Sequence, residues 1–198
     1  MAETRYIGWS SEDSLYVCDG EDDQVEINQA LAWAAANPGN TVYLRGPHTY
    51  IISDKLLIGS YTVFTGDATA EIKLDDSCMW ASMTPIIGQI NGSGTYIAGV
   101  EISGFKINGN EANLYHDGEG DPERIHGKGY YNCIHFQGTA SVPVEDIHIH
   151  DMVFKDSMGD GCRIVHAKNV RIHNNTQYNL MHSCVFFIDV VGGDIYSN

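Results

Sequence analysis

Three short segments at regular spacing decide the fold: IHIHD at residues 147–151, VRIHN at residues 170–174 and DIYS at residues 194–197. Their isoleucines Ile149, Ile172 and Ile195 are equally spaced, because 172 − 149 and 195 − 172 both equal 23. A fixed period in the low twenties, with short β-branched strands and no helical spacing between them, is typical of a solenoid. Each period therefore predicts one turn of a coil.

Length and composition favour one elongated all-β domain over residues 1–198. Charged residues make up 19% of the chain and glycine is frequent at 21 residues, while Val, Ile, Tyr and Thr recur in short runs. We expect an N-terminal cap, then coils over about residues 41–198, with a polar loop inserted at about 110–128.

The net charge of −15 argues against a nucleic-acid partner, because phosphates need a basic surface. An anionic glycan would also be repelled unless its site were locally basic or held a cation. No apolar run is long enough to span a bilayer, and the first residues lack the pattern of a signal peptide. Five cysteines without metal spacing are interpreted as buried thiols.

One helix is predicted, over about residues 23–37. Ile27, Ala30, Leu31 and Ala34 share one face, and the helix would cover the open end of the first coil as a lid. Asp23 and Glu26 resemble a capping box. Five short strands are expected next: Thr41 to Leu44, Thr49 to Ile52, Leu56 to Ile58, Thr62 to Phe64 and Glu71 to Leu74.

The polar loop and the C-terminal end carry two further expectations. The loop contains Arg124 and His126 as candidate binding residues, with a solvated excursion as the alternative. The repeat is still running at Asn198, which suggests the N-terminal part of a longer β-helix. Another copy of the chain would also cover such an end, so a homo-oligomer is an open alternative.

Alternation along the strands predicts two outward rows of side chains. With the isoleucines inside, their neighbours point outward. The first row is Glu101, His148, Arg171 and Asp194, and the second is Ser103, His150, His173 and Tyr196. Equivalent residues of stacked coils lie about 4.8 Å apart, so the rows predict a groove lined by histidine, arginine, tyrosine and carboxylates.

A second family of strands is aligned with Ile134, Cys162 and Cys184 inside. This alignment leaves His135, Arg163 and Val185 outside and stacks Cys162 on Cys184 in the core.

The outward histidines favour sugar binding or proton transfer. A zinc site of His148, His150 and His173 is the less favoured alternative, so no metal ligand is assigned. Arg171 and Arg163 offer planar forks that match a carboxylate. Their structural alternatives are salt bridges to Asp194 and Asp160.

Two stretches carry a resemblance to a known family: DGEDDQVEINQAL at residues 19–31 and GNTVYLRGPHTY at residues 39–50. They resemble the entry to right-handed parallel β-helix proteins of the pectate-lyase-like superfamily, with RGPH at residues 45–48 departing from the usual pattern. The coil segments DGCRI at residues 160–164 and NVRIHNN at residues 169–175 resemble it too. The resemblance implies a right-handed parallel β-helix with a capping helix.

More narrowly, residues 22–31 and 43–50 resemble disaggregatases of methanogenic archaea. That similarity implies an extracellular or cell-surface parent protein that degrades a chondroitin-like matrix polysaccharide. Pectate lyases often bind calcium through an Asp at about the position of His173. The resemblance therefore names calcium as the cofactor to consider, while His173 argues against a calcium mechanism.

The predicted activity is that of a polysaccharide lyase acting on a uronate-containing glycan by β-elimination. Arg171, with Arg163 as substitute, would neutralise the uronate carboxylate; His173 or His150 would remove the C5 proton; Tyr196 or His148 would protonate the leaving oxygen. Further substrate contacts are assigned to the following side chains: Arg163, His135, Asp194, Glu101, His126 and Arg124. One alternative is a glycoside hydrolase with paired carboxylates, for which the candidates are Glu101, Asp151, Asp156, Asp160, Asp189 and Asp194. The other is a non-catalytic glycan-binding or adhesin module.

Overall fold

A computed structural model describes residues 2–78, 80, 83–114 and 131–198. Within these residues the strands are β1 (Thr4–Gly8), β2 (Tyr16–Val17), β3 (Thr41–Leu44), β4 (Thr49–Ile52), β5 (Leu56–Ile58), β6 (Val63–Gly66), β7 (Glu71–Leu74), β8 (Pro85–Gln89), β9 (Ala98–Ser103), β10 (Lys106–Asn108), β11 (Asn132–Gln137), β12 (Val144–His150), β13 (Val153–Ser157), β14 (Cys162–His173), β15 (Thr176–Leu180) and β16 (Val185–Tyr196). The helices are α1 (Gln24–Ala36) and α2 (Glu111–Leu114).

The strands form three walls that the chain visits in turn. The first wall contains β1, β3, β6, β9, β12 and the second halves of β14 and β16. The second wall contains β4, β7, β10, β13 and β15. The third wall contains β5, β8, β11 and the first halves of β14 and β16. Neighbouring strands of a wall are parallel and come from successive coils, which is the architecture of a parallel β-helix.

The strand register confirms the period of 23 residues. Ile149 lies beside Ile172, and Ile172 lies beside Ile195. Ile102 lies beside Ile149 although the coil between them is longer. The strand bounds also confirm four of the five expected early strands, and the remaining one spans Val63–Gly66. Sequence reasoning missed β1 and β2.

The corners between walls are made by Asn and Asp residues that recur at the same interval. Asp146 and Asn169 both have positive φ angles, a conformation that these residue types adopt more readily than most. Asn169 Nδ2 donates to Asp146 Oδ1 at 3.1 Å. At the next corner Asn175 Nδ2 donates to Asn198 Oδ1 at 2.7 Å. These ladders provide hydrogen-bond partners where the regular strand pairing is interrupted.

The core lies between the walls and consists mainly of isoleucine and other aliphatic side chains. Ile102, Ile149 and Ile172 are fully buried. Ile195 was expected inside, but 49% of it is exposed. Its register is as predicted, and the exposure follows from its position on β16, which has a strand on one side only.

Helix α1 confirms the predicted helix and its buried face, since Ile27, Ala30, Leu31 and Ala34 are fully buried. The predicted capping box is wrong, because the Asp23 side chain makes no capping bond to the helix. Its carboxylate instead accepts hydrogen bonds from the backbone N–H groups of Asp19, Gly20 and Ile51. The helix contacts β1 to β5, and its role as a lid stays a prediction.

The polar loop begins with α2, and Arg124 and His126 lie outside the described residues. Among the residues that are described, neither helix has the length and apolar composition needed to cross a membrane.

Candidate active site

The two outward rows form as predicted, because β9, β12, β14 and β16 pair in one register. Glu101, His148, Arg171 and Asp194 are neighbours in that order. Ser103, His150, His173 and Tyr196 form the adjacent row. Buried isoleucines alternate with both rows, so the polar side chains project from the first wall.

Three histidines of these rows meet in one cluster, which we call the histidine cluster: His148, His150 and His173. The Nε2 atoms of His148 and His173 are 2.8 Å apart. One of these nitrogens must donate and the other accept, so the contact holds a shared proton. The ring centroids of His148 and His150 are 4.3 Å apart.

Ring stacking orients the second row. The rings of His150 and His173 stack with centroids 5.1 Å apart and an interplanar angle of 11°. Tyr196 stacks on the other side of His173 at 4.6 Å and 8°. The buried Nδ1 atom of His173 has no hydrogen-bond partner among the described residues, so stacking and the contact with His148 hold this ring.

Two carboxylates bracket His150. Its Nδ1 atom lies 2.7 Å from Asp151 Oδ2, and its Nε2 atom lies 3.4 Å from Glu101 Oε1. The hydrogen bond from His150 lowers the pKa of the Asp151 carboxyl. Sequence reasoning assigned Glu101 to substrate binding and named Asp151 only as a candidate carboxylate for hydrolysis, without pairing it with His150. The signal was present, since Asp151 directly follows the strand that carries both histidines.

Burial is the main cause that lowers the pKa of His148, followed by the neighbouring imidazole of His150. The charge of Arg171 acts in the same direction, whereas Glu101 opposes it. A cationic imidazole is disfavoured where it loses water and faces other positive groups. The cluster environment therefore favours the neutral form of His148.

A groove of about 540 Å³ opens beside the cluster. His148, Arg171 and Asp194 of the first row line it, together with corner residues that sequence reasoning did not assign to the site: Asp146, Asn169 and Gly192. These three repeat at the same interval of 23, which is the signal that would have found them.

Arg171 is exposed and makes no hydrogen bond or ion pair within the described part of the chain. The salt bridge to Asp194 considered as its structural alternative is therefore not formed, and the fork of Arg171 is available to a ligand. Asp194 lies beside it on the next strand and gives the groove mixed charge.

The third wall carries the other predicted pair, His135 and Arg163, which are neighbours on β11 and β14. Arg163 Nη1 lies 3.2 Å from Asp160 Oδ2, and the Asp160 side chain is fully buried. The guanidinium also lies 4.4 Å from the ring centre of Phe186. Arg163 thus has the salt bridge that was its structural alternative.

His135 is 8% exposed, and burial lowers its pKa to about 4. The positive charge of Arg163 contributes to this lowering. His135 lines a separate cavity of about 200 Å³ with Pro85 and Gly88. The structure therefore places His135 and Arg163 on a different wall from the histidine cluster.

The predicted alignment of Cys184 is wrong by one residue. Val185 lies beside Cys162, and Phe186 lies beside Arg163. Strands β14 and β16 pair in a single register from Cys162 to His173, so the interval of 23 applies to this wall too and Cys184 falls outside the pairing. All five cysteines are free, and Cys184 is only partly buried.

No family model matches the sequence, and no curated protein matches it. Solved structures do match. The A-module of the mannuronan C-5 epimerase AlgE4 of Azotobacter vinelandii has a TM-score of 0.71 and 17% identity, over 98% of this chain and 50% of that protein. The likeness shows the fold.

Two other solved structures are also similar to this fold. The family 28 exopolygalacturonase of Yersinia enterocolitica has a TM-score of 0.65 and 14% identity, over 98% of this chain and 49% of that one. PfbA, a surface adhesin of Streptococcus pneumoniae, has a TM-score of 0.62 and 20% identity, over 92% and 39%. The chain thus spans half or less of the length of these three proteins, which share its fold.

Proposed function

We propose that the groove beside the histidine cluster binds a uronate-containing polysaccharide and cleaves it by β-elimination. The observation that carries this proposal is the placement of Arg171, without an ion pair, beside His148 on one groove wall. An unpaired arginine next to a histidine pair that shares a proton provides two of the three functions that the reaction needs.

Arg171 is proposed to bind the uronate carboxylate. Its planar fork donates two parallel hydrogen bonds to a carboxylate. Neutralising that group makes the adjacent C5 proton more acidic. This local positive charge also allows a polyanion to bind an acidic protein, in which Asp146 and Asp194 on the groove walls would repel a misplaced uronate.

His148 is proposed as the base, because it lines the groove together with Arg171, whereas His173 belongs to the adjacent row and contacts His148. It would take the C5 proton while the C4–C5 double bond forms and the C4–oxygen bond breaks. The contact with His173 would relay the proton away. Tyr196, exposed and stacked on His173, would protonate the leaving oxygen. The sequence-based assignment gave the base role to His173 or His150 and the acid role to Tyr196 or His148. Here His148 becomes the base, His173 becomes the relay and Tyr196 keeps the acid role.

The structural relatives support the substrate class. The names of two of them, a mannuronan C-5 epimerase and an exopolygalacturonase, denote enzymes of uronate polymers. C5 epimerisation begins at the same carbon as β-elimination. Because the sequence resembles disaggregatases, a chondroitin-like matrix glycan from outside the cell is the substrate proposed first.

The test incubates the 198-residue chain with chondroitin, mannuronan and polygalacturonate, and follows ultraviolet absorbance and polymer size together. Elimination gives shorter chains that carry an unsaturated, absorbing uronate. His148→Ala should abolish the product, whereas His166→Asn, a substitution outside the cluster, should not. Intact polymer and unchanged absorbance with all three glycans would contradict the proposal.

Glycoside hydrolysis is the second candidate, because two carboxylates, Asp146 and Asp194, line the same groove. Hydrolysis uses two carboxylates separated by a sugar-binding space. It would shorten the polymer without new absorbance. Binding without any product would instead favour a glycan-binding module, the role named for the adhesin PfbA.

A further inference from the structure

The geometry of the histidine cluster points to a metal site that the sequence did not favour. We infer that His148, His150 and His173, closed by Glu101, bind one divalent transition-metal ion. One ring nitrogen from each histidine lies within 4.8 Å of the others. The binding part of this inference stands without the proposed function.

The contact between His148 and His173 is close to the separation of two ligands on one metal ion. Zinc–nitrogen bonds of about 2.0–2.1 Å place two ligands of a tetrahedral ion roughly 3.3 Å apart. The two Nε2 atoms are 2.8 Å apart, so they need to move apart by only about 0.5 Å to bind the ion. A metal ion would replace the shared proton as the positive charge between two lone pairs.

The surroundings of His150 are those of a metal-binding histidine. Metal-binding histidines usually donate their other ring N–H to a carboxylate, which fixes the tautomer and the ring. Asp151 accepts such a bond from His150 Nδ1 at 2.7 Å. The Nε2 atom then carries the free lone pair, and Glu101 Oε1 lies 3.4 Å from it. The arrangement provides a carboxylate as the fourth ligand.

The ligand types select the metal. Three imidazoles and one carboxylate suit zinc, copper or nickel, whereas calcium and magnesium prefer oxygen ligands. The cluster is half-buried and borders the groove, so an ion can reach it. The site differs from the calcium site that the family resemblance brought into consideration.

A second group of side chains has similar spacing, but its atoms are less suited to binding a metal ion. Cys18, Asp23 and Glu26 also lie within 4.8 Å of one another. However, Asp23 already accepts three backbone hydrogen bonds, and burial raises the pKa of the Cys18 thiol above its usual value. The Asp23 carboxylate is therefore already used by backbone donors and the thiolate form of Cys18 is disfavoured, whereas His150 keeps the lone pair of its Nε2 atom when its Nδ1 donates to Asp151.

Binding is tested with zinc alone. The untagged chain is titrated with zinc sulfate by calorimetry, and the bound metal is counted after gel filtration. We expect one zinc per wild-type chain and none in His150→Gln/His173→Gln. His166→Asn, which removes a histidine paired with Asp189 at 3.2 Å, should still bind one zinc. If the double variant binds zinc as wild type does, or if wild type binds none, the inference is overturned.

A cobalt titration separates the site from nonspecific binding and from misfolding. Tetrahedral nitrogen and oxygen ligands give visible absorption bands, which should appear with wild type and be absent with the double variant. Circular dichroism establishes that the variant is folded. A single His150→Gln variant, which leaves two histidine ligands, should bind at least tenfold more weakly.

One consequence rests on the proposed function: zinc should inhibit elimination, because it occupies the nitrogens that would accept and relay the proton. The two failures are distinguishable. Zinc binding without activity in any metal state would leave the metal site standing and refute the lyase proposal. Activity without zinc binding would do the reverse, and activation by zinc would overturn the inhibitory consequence.

Discussion

The chain contains the same pair, a histidine beside an arginine on the next strand, at two places. On the first wall His148 lies beside Arg171, and on the third wall His135 lies beside Arg163. Arg163 pairs with the buried Asp160 and packs on Phe186, whereas Arg171 is exposed at a groove. A matching cross-strand pair is therefore structural where a buried carboxylate meets it and available for ligands where none does.

The largest effect should come from breaking the third-wall pair. Arg163→Ala removes the arginine partner of the fully buried Asp160 carboxylate, and we expect a loss of about 3 kcal/mol in the free energy of unfolding. Arg171→Ala should change it by less than about 0.5 kcal/mol. Urea denaturation of both variants measures the difference.

Replacing both partners provides the control for this prediction. Asp160→Asn/Arg163→Met removes the buried charge together with its partner, so it should recover part of the lost stability. Equal stabilities of Arg163→Ala and Arg171→Ala would contradict the distinction between a structural arginine and one available for ligands.

The second effect is a dependence of stability on pH that originates at His135. Its pKa is about 4 in the folded chain and about 6.5 when unfolded, so the unfolded state binds more protons between these values. Stability should rise with pH across this window, by up to about 3 kcal/mol, and level off above it. Unfolding free energies from pH 4 to 7 measure the slope.

His135→Gln isolates this contribution, because it removes the titrating ring and retains a polar side chain. Above about pH 7 the wild-type and variant curves should differ by a constant amount, and the wild-type curve should fall relative to the variant curve as the pH drops from about 6.5 toward 4. Parallel curves over the whole range would mean that the burial of His135 does not disfavour its charged form.

The third effect concerns the first-wall pair. Arg171→Ala should reduce kcat/KM for elimination by about 30-fold or more, because a charged hydrogen bond contributes roughly 2 kcal/mol. The kcat/KM of Arg171→Lys should lie between those of wild type and Arg171→Ala, since a lysine carries the charge without the planar fork of donors. Initial rates from ultraviolet absorbance measure both.

Lys168→Ala is the matched control for charge. Lys168 is on the same strand and pairs with Glu145 at 3.2 Å, outside the groove lining. It should retain the wild-type rate. A similar loss in Lys168→Ala and Arg171→Ala would indicate a general effect of net charge in place of a bound carboxylate.

The smallest effect concerns zinc affinity and the Asp151 carboxylate, which contacts His150 and has no counterpart at His135 in the described part of the chain. Asp151 accepts a hydrogen bond from His150 on the first wall, whereas the Nε2 atom of His135 has no partner among the described residues. Asp151→Asn should weaken zinc binding about tenfold without removing the site. Asp189→Asn, which alters the partner of His166, should leave the affinity unchanged, and calorimetry compares the two.

Much of the architecture could be predicted because a solenoid repeats one local arrangement. The interval of 23 residues gave the register of Ile149, Ile172 and Ile195, and alternation then gave both outward rows. The failures are local. Cys184 was aligned with Cys162 because both are cysteines, although the interval of 23 residues aligns Val185. The capping box was predicted from the helix sequence alone, whereas the Asp23 carboxylate binds backbone N–H groups of the preceding loop and of Ile51.

The sequence by itself determined which residues are neighbours within a wall, because parallel pairing links residues one to one at a fixed interval. Only the tertiary structure decided what those neighbours can do. The burial of Asp160, the bracketing of His150 by Asp151 and Glu101, and the position of Arg171 at a groove depend on corner conformation and depth. The repeat does not encode these quantities, because they arise from contacts between elements and not along one strand.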